Sequence, residues 1–327
     1  MDVLLDGLRR LEYRGYDSAG LALLEGKRIA VVRTAGKIAQ LAERLNGHRS
    51  GARLGIGHTR WATHGPPTER NAHPHRDCTG RVAVVHNGII ENFLSLRERL
   101  RRRGHRFRSE TDTEVVAHLL EEQLGREDPL EALELALREL EGSYALAAIS
   151  PRWPGLILAA RRGSPLVVGV GQGECLLASD IPALLPYTRE VIVLEDGEVA
   201  LVRPEGPRVL REGRPQHRSP HHVSWDVSMA ERGGYRHFML KEIMEQPRAV
   251  RDTVRPRVRR GRVVLEELGL TAGELRRLRR VYLVACGTSY HAALLGKLLI
   301  ERWARVPCEA DIASEFRYRD PVLDPRS

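Results

Sequence analysis

No apolar run in this 327-residue chain approaches the roughly 20 residues that cross a bilayer as a helix. The opening residues, MDVLLDGLRR, lack a charged n-region, an apolar h-region and a cleavage site. The expectation is a soluble, cytoplasmic protein with no membrane partner. Cysteine is scarce as well: Cys78, Cys175, Cys286 and Cys308 stand far apart and form no CxxC, so neither a disulfide framework nor a zinc ribbon is suggested and reduced thiols are the default. Low-complexity character is also absent. Apolar residues make up 42% and charged residues 29%, which excludes a disordered or collagen-like chain and permits a packed core. The length itself exceeds one ordinary domain and favours two units, or one unit and part of another.

A net charge of +9 suggests nucleic acid until it is located. Between residues 248 and 280 there are eleven arginines against four acids, and the rest of the chain is nearly balanced. The basicity belongs to one segment, which carries no aromatic residue among its arginines, whereas single-strand binders interleave stacking platforms. A solvated linker is the expected reading, with no nucleic-acid partner. Only four of the 52 basic residues are lysine, which says nothing about partners.

Periodicity predicts strands at 28–33, 54–58, 81–86, 144–149, 155–160, 166–170 and 174–179, and a closing hairpin of 191–194 with 199–202 about Asp196-Gly197. Apolar residues recurring at three and four predict helices at 2–11, 38–46, 91–103, 113–124 and 129–140. More strands than helices argues for antiparallel sheets covered by helices. Residues 203–222, rich in Pro, Arg and Gly, read as an irregular surface excursion, followed by a helix at 234–252. From residue 281 the pattern changes to a buried strand, 281–285, a turn, 286–289, and a helix, 290–303, as in a doubly wound α/β domain. Too few residues follow to build such a sheet, so this domain is expected to be cut short.

Four stretches could carry chemistry. GHTRWATHGPPTERNAHPH, residues 57–75, holds His58, His64, His73 and His75 at spacings that match neither HxxxH nor HExxH, so no metal is expected there. It reads as a polar connection, or as an arginine fork beside Thr and His donors that suits an organic carboxylate. VVHNGII, residues 84–90, is an Asn-Gly turn after a strand, or an oxyanion hole built from the Asn87 amide and the Gly88 N–H. In SETDTE, residues 109–114, Thr111 and Glu114 form a capping box, while Asp112 is free to grip an ammonium group. ACGTS, residues 285–289, offers backbone N–H groups and two hydroxyls to an anion, or a simple N-cap by Thr288 or Ser289.

Taken with EYRGYDSAG (12–20), HNGIIEN (86–92) and ASEFRYRD (313–320), these stretches resemble the glutamine:fructose-6-phosphate amidotransferase family, in order and over nearly the whole chain. The resemblance implies a class II glutaminase over residues 1–205, with the N-terminal-nucleophile fold, a four-layer α/β/β/α sandwich. It implies a connecting segment and basic linker at 206–280 and the start of a doubly wound α/β sugar-isomerase domain at 281–327. It also implies glutamine-dependent conversion of fructose 6-phosphate to glucosamine 6-phosphate, with no cofactor or metal and a homodimer in the intact family. Arg60, Thr63 and His64 would hold the glutamine α-carboxylate and Asp112 its α-ammonium. Asn87 and Gly88 would form the oxyanion hole, Trp61 would gate ammonia, and Thr288 and Ser289 would contact the sugar phosphate.

One departure stands out. The family's nucleophile is a cysteine at the mature N-terminus, and this chain begins Met1-Asp2-Val3, while none of its four cysteines has a free α-amine. The expectation is a fragment that is catalytically incomplete. Competing readings are the glutaminase half of another class II amidotransferase, forming phosphoribosylamine or asparagine, and a non-catalytic glutamine-binding remnant. No pyrophosphate-binding motif supports the first of these.

Overall fold

The structure, a computed structural model, describes residues 1–48, 50–224, 235–259, 261–265 and 269–323. It contains two compact units, Met1–Arg236 and His237–Ser327.

The first unit opens with α1 (Asp2–Arg10), whose acid lies in the first turn and whose arginines lie in the last, complementing the helix dipole. Three strands follow: β1 (Ser18–Glu25), β2 (Arg28–Ala35) and, after α2 (Ile38–Arg44), β3 (Gly55–Arg60). They form an antiparallel sheet in the order β2-β1-β3. Next come β4 (His75–Arg76), β5 (Ala83–Ile90), α3 (Phe93–Arg102), α4 (Glu114–Glu122), α5 (Pro129–Leu137), β6 (Gly142–Ile149) and β7 (Ile157–Arg162). The α5 start is fixed by Pro129 at its first turn and by Asp128, which accepts the Leu130 N–H at 2.9 Å. The remaining strands are β8 (Val167–Val170), β9 (Cys175–Ala178), β10 (Glu190–Val193), β11 (Glu198–Arg203), β12 (Gly206–Arg211), β13 (Arg214–Pro215) and β14 (His221–His222).

The strand alternation builds the layers. In β1, Leu21 and Leu23 face α1 and α2, whereas Ala22 and Leu24 face the opposite way, toward the seven-stranded sheet β13-β12-β11-β7-β6-β5-β4. In β6, Ala145 and Ala147 meet that middle layer, and Leu146 and Ala148 pack under Leu100, Leu119, Leu120 and Leu133 of α3, α4 and α5. The four-stranded sheet β14-β10-β8-β9 shares the middle layer through Val168 and Ile192. The result is the expected α/β/β/α sandwich.

Several expectations fail in this unit. The predicted hairpin does not form, because β10 pairs with β8 and β14, whereas β11 pairs with β7 and β12 in the other sheet. The Asp196-Gly197 turn passes the chain between layers. Residues 203–222 are not irregular: β12 closes on β11 over six residue pairs and buries Leu210 completely. The compact unit itself extends to Arg236. Strand β1 went unpredicted, although its burial is nearly continuous from Ser18 to Leu24.

The second unit contains α6 (Phe238–Val254), a two-residue ladder of β15 (Val258–Arg259) with β16 (Arg262–Val263), α7 (Ala272–Leu275), β17 (Val281–Ala285), α8 (Gly287–Trp303), β18 (Cys308–Ile312) and α9 (Ala313–Tyr318). The helix expected at 234–252 is therefore observed from Phe238, and residue 234 lies outside the described residues. Strands β17 and β18 pair in parallel about the α8 crossover, as a strand followed by a helix requires, but α8 starts at Gly287 inside the turn expected at 286–289, and the strand expected to be buried has no buried residue. Among the described residues, no helix is long and apolar enough to cross a membrane.

Candidate functional site

A cavity of about 1040 Å³ lies within the first unit, and Arg60, Trp61, Thr63, Asn87, Gly88 and Asp112 are among the residues lining it. Arg60 ends β3 and is 4% exposed. Its guanidinium donates to the carbonyls of His64, Gly65 (3.3 Å) and Pro66 (3.5 Å), so it braces the loop that carries Thr63 and His64. The Nε–H and one Nη1–H are left over. Burial lowers the pKa of Arg60, opposed first by Asp112.

Asp112 is equally buried, and one of its oxygens accepts the Ile90 N–H at 2.9 Å. His64 Nδ1 and His86 Nδ1 stand 4.0 and 3.9 Å from its carboxylate. His64 meets Phe93 edge-on at 5.0 Å and is not a lining residue.

Asn87 and Gly88 lie inside β5, paired with Ala145 and Tyr144, so the Asn-Gly turn does not exist. Gly88 has φ +127, and a Cβ there would sit 2.2 Å from the Ser143 carbonyl oxygen; only glycine fits. Buried His58 donates from Nε2 to Asn87 Oδ1 at 2.8 Å, which orients the amide and keeps its Nδ2 donors unspent. Burial pushes the pKa of His58 down to about 4, that of His75 down to about 3, and that of His73 well below the usual histidine value. His86, also held neutral by burial, donates from Nε2 to Ser143 O at 3.4 Å and takes a hydrogen bond from Thr113 Oγ1 at 2.9 Å.

The expected capping box is not made. Thr111 Oγ1 bonds His75 Nε2 at 3.0 Å, and the Glu114 carboxylate reaches back to the N–H groups of Arg108 and Ser109, both at 2.7 Å. Burial raises the pKa of Glu114, but the facing His118 imidazole and the hydrogen bonds from Ser109 and these N–H groups outweigh it and hold the pKa at about 2. The loop bearing Asp112 is tied down by that anion.

Trp61 is 58% exposed and touches Tyr16 edge-on at 5.5 Å. Asp17 accepts the Ala62 N–H at 2.8 Å and so anchors the same turn. Thr288 and Ser289 belong to the second unit, exposed in the first turn of α8; the N-cap is Cys286 and no side chain caps the helix, so the simple capping role fails.

Sequence reasoning named His58 only as one of four histidines in its stretch, without its role of orienting Asn87, and missed His86, Asp17 and Cys175 as parts of this site. His58, His86 and Asp17 sit inside the quoted motifs, where adjacency was the only available signal. Cys175 lines the cavity from β9, and burial, then Glu205 and Glu174, raises its thiol pKa. Cys78, the cysteine nearest the motifs in sequence, is not a lining residue.

The glutamine amidotransferase domain family matches residues 58–186, and the SIS domain family matches residues 274–327. The glutamine–fructose-6-phosphate aminotransferase (isomerizing) of Symbiobacterium thermophilum is 55% identical over 99% of this chain and 54% of its own length. The protein of that name from Thermus thermophilus is 54% identical over 100% of this chain and 54% of its own. The chain spans about half the length of the curated relatives it matches. A solved glutamine phosphoribosylpyrophosphate amidotransferase from B. subtilis superposes with a TM-score of 0.58 at 20% identity, covering 94% of this chain and 62% of that one, which shows the shared fold. A glutamine amidotransferase domain joined to an SIS domain, at this level of identity, makes the chain a homologue of the glutamine–fructose-6-phosphate aminotransferases (isomerizing) over about half of their length.

Proposed function

We propose that the cavity of the first unit binds L-glutamine, and that the chain represents the glutamine-using part of a cytoplasmic, homodimeric enzyme that makes glucosamine 6-phosphate and glutamate from fructose 6-phosphate. The observation that carries this reading is the lining of a single cavity by a buried guanidinium, a buried carboxylate and an in-strand Asn-Gly pair. The spare Arg60 N–H groups suit the α-carboxylate, and Asp112 suits the α-ammonium. A negative oxygen developing on the side-chain carbonyl would be met by Asn87 Nδ2 and the Gly88 N–H. Thr63 and His64 support the carboxylate end, and Trp61 stands at the rim as the ammonia gate.

The SIS match favours a sugar phosphate over a ribosyl pyrophosphate as ammonia acceptor, and the first turn of α8 offers Thr288 and Ser289 to its phosphate. The reaction calls for no cofactor. Covalent glutamine hydrolysis needs a thiolate, and the one cysteine lining this cavity, Cys175, has its ionisation suppressed by burial.

Calorimetry with L-glutamine tests the pocket. Arg60→Lys keeps the charge and loses the planar fork, so binding should weaken by about 1–3 kcal/mol. Equal affinity in both proteins would remove Arg60 from the site. Ammonia release at the rate of a full-length relative would show that another thiol serves as nucleophile.

A further inference from the structure

We propose that Cys78, His105, His118 and Glu121 form a binding site for one divalent cation of the zinc class. Their ligand atoms lie within 4.8 Å of one another, the one such group among the described residues. None of the four lines the cavity.

Three separate segments deliver them. Asp77 accepts the N–H groups of Val82 (2.7 Å) and Thr79 (3.1 Å), shaping the turn that presents Cys78. His105 follows α3, and His118 and Glu121 are three apart on α4, hence on one face.

The distances suit a tetrahedral centre. Cys78 Sγ stands 3.8 Å from His105 Nδ1 and 3.7 Å from His118 Nδ1. Two ligands bound to zinc at about 2.3 Å through sulfur and about 2.0–2.1 Å through nitrogen would be separated by roughly 3.6 Å at a tetrahedral angle. Glu121 Oε2 lies 2.9 Å from His105 Nδ1 and 3.0 Å from His118 Nδ1, so replacing the shared protons by a metal requires these pairs to open by only a few tenths of an ångström.

The outer contacts carry an independent sign. Both imidazoles turn Nδ1 to the centre and Nε2 to a second carboxylate: His105 Nε2 is 3.2 Å from Glu122 Oε1, and His118 Nε2 is 3.8 Å from Glu114 Oε1. A carboxylate behind a ligating histidine fixes the tautomer that frees the other nitrogen for metal. The separation at His118 is too long for a hydrogen bond, and Nε2 is a buried nitrogen without a partner. The Arg106 N–H points at Cys78 Sγ at 3.1 Å, a donor suited to a thiolate. On binding, the Cys78 thiol releases its proton to solvent, each imidazole keeps one proton on Nε2 and gives up to solvent any second proton it carries on Nδ1, and two anionic and two neutral ligands neutralise the dication.

The donor set of one sulfur, two nitrogens and one oxygen favours Zn²⁺ over Mg²⁺ or Ca²⁺. With no role in the cavity, the metal would clamp the 77–82 turn and the end of α3 to α4, the helix that Asp112 precedes by two residues.

Metal-free protein titrated with Zn²⁺ against a chromophoric chelator should bind one equivalent, and Co²⁺ should give an intense four-coordinate visible spectrum with a thiolate charge-transfer band. Cys78→Ser should abolish that band, whereas Cys175→Ser should leave it. His105→Ala, checked for folding by circular dichroism, should weaken Zn²⁺ at least about 100-fold, and Glu122→Gln by about 10-fold. A Co²⁺ spectrum without a thiolate band, or one unchanged by Cys78→Ser, overturns the proposal. So does the absence of one-equivalent Zn²⁺ binding, in which case the four side chains are a proton-sharing network alone.

Discussion

The two units differ in how much apolar surface they remove from water. The first unit holds four apolar clusters, with Leu21, Leu41, Leu100 and Leu210 completely buried. Among the described residues of the second, only Ala293 and Cys308 are buried and apolar, while Leu295, Leu298 and Trp303 of α8 are 59%, 62% and 74% exposed. Both carry well-formed hydrogen-bonded elements, so secondary structure is not what separates them. A sandwich gives each sheet face a partner, whereas the parallel pair β17–β18, with α8 and the short α9 against it, leaves most of its apolar side chains partly or fully exposed among the described residues.

The largest test of this contrast is amide exchange. The β5 and β6 amides should be protected at least about 10³-fold more than those of β17, because the former open only with the whole unit. Equal protection in a dilute, monomeric sample would mean that the second unit is stabilised by something other than core burial.

Core truncation should separate the units next. Leu120→Ala, at a side chain 1% exposed, should cost about 2–5 kcal/mol in denaturant unfolding, whereas Leu295→Ala should stay within about 0.5 kcal/mol. A comparable loss at Leu295 would break the comparison.

Acid should destabilise the first unit through its buried histidines. His58 and His75 are held neutral when folded, with pKa values about 4 and about 3, against an ordinary 6.5. Below pH 6.5 the unfolded chain takes up protons that the folded unit refuses. The stability present above that pH is lost as pH falls toward the folded values, by about 1.4 kcal/mol per pH unit for each such proton. A first unit whose unfolding midpoint is flat from pH 7 to 4.5 would contradict the burial of these rings.

The smallest effect is expected at α7, where Thr271 and Glu274 form a reciprocal capping box: Thr271 N–H donates to Glu274 at 2.7 Å and Glu274 N–H to Thr271 Oγ1 at 3.2 Å. Thr271→Ala should fray that turn, seen as faster local exchange, with no change in the first unit.

That box has the same spacing as Thr111 and Glu114, where none forms, and the pair shows where sequence reading stops. Exposed Thr271 has only its own helix to bond, whereas Thr111, fully buried, is claimed by His75, which lies 36 residues away in sequence. Much of the fold was legible in the same local way. Alternation and three-four spacing located α1 to α5 within about three residues, and the motif chemistry pointed to Arg60, Asn87, Gly88 and Asp112, all of which line the cavity. Strand β1 escaped because burial on both faces erases alternation.

The sequence by itself determined most of the helices and many of the strands, and which side chains can answer a carboxylate, an ammonium or an oxyanion, because those properties depend on neighbours a few residues away. Only the tertiary structure decided that β10 and β11 part into different sheets, that Asn87-Gly88 sits within a strand, and that Cys78 meets His105, His118 and Glu121. The physical reason is that pairing is selected by which faces are buried together across layers. Closing a longer loop costs only slightly more than closing a short one, so proximity along the chain is a poor guide to those partners.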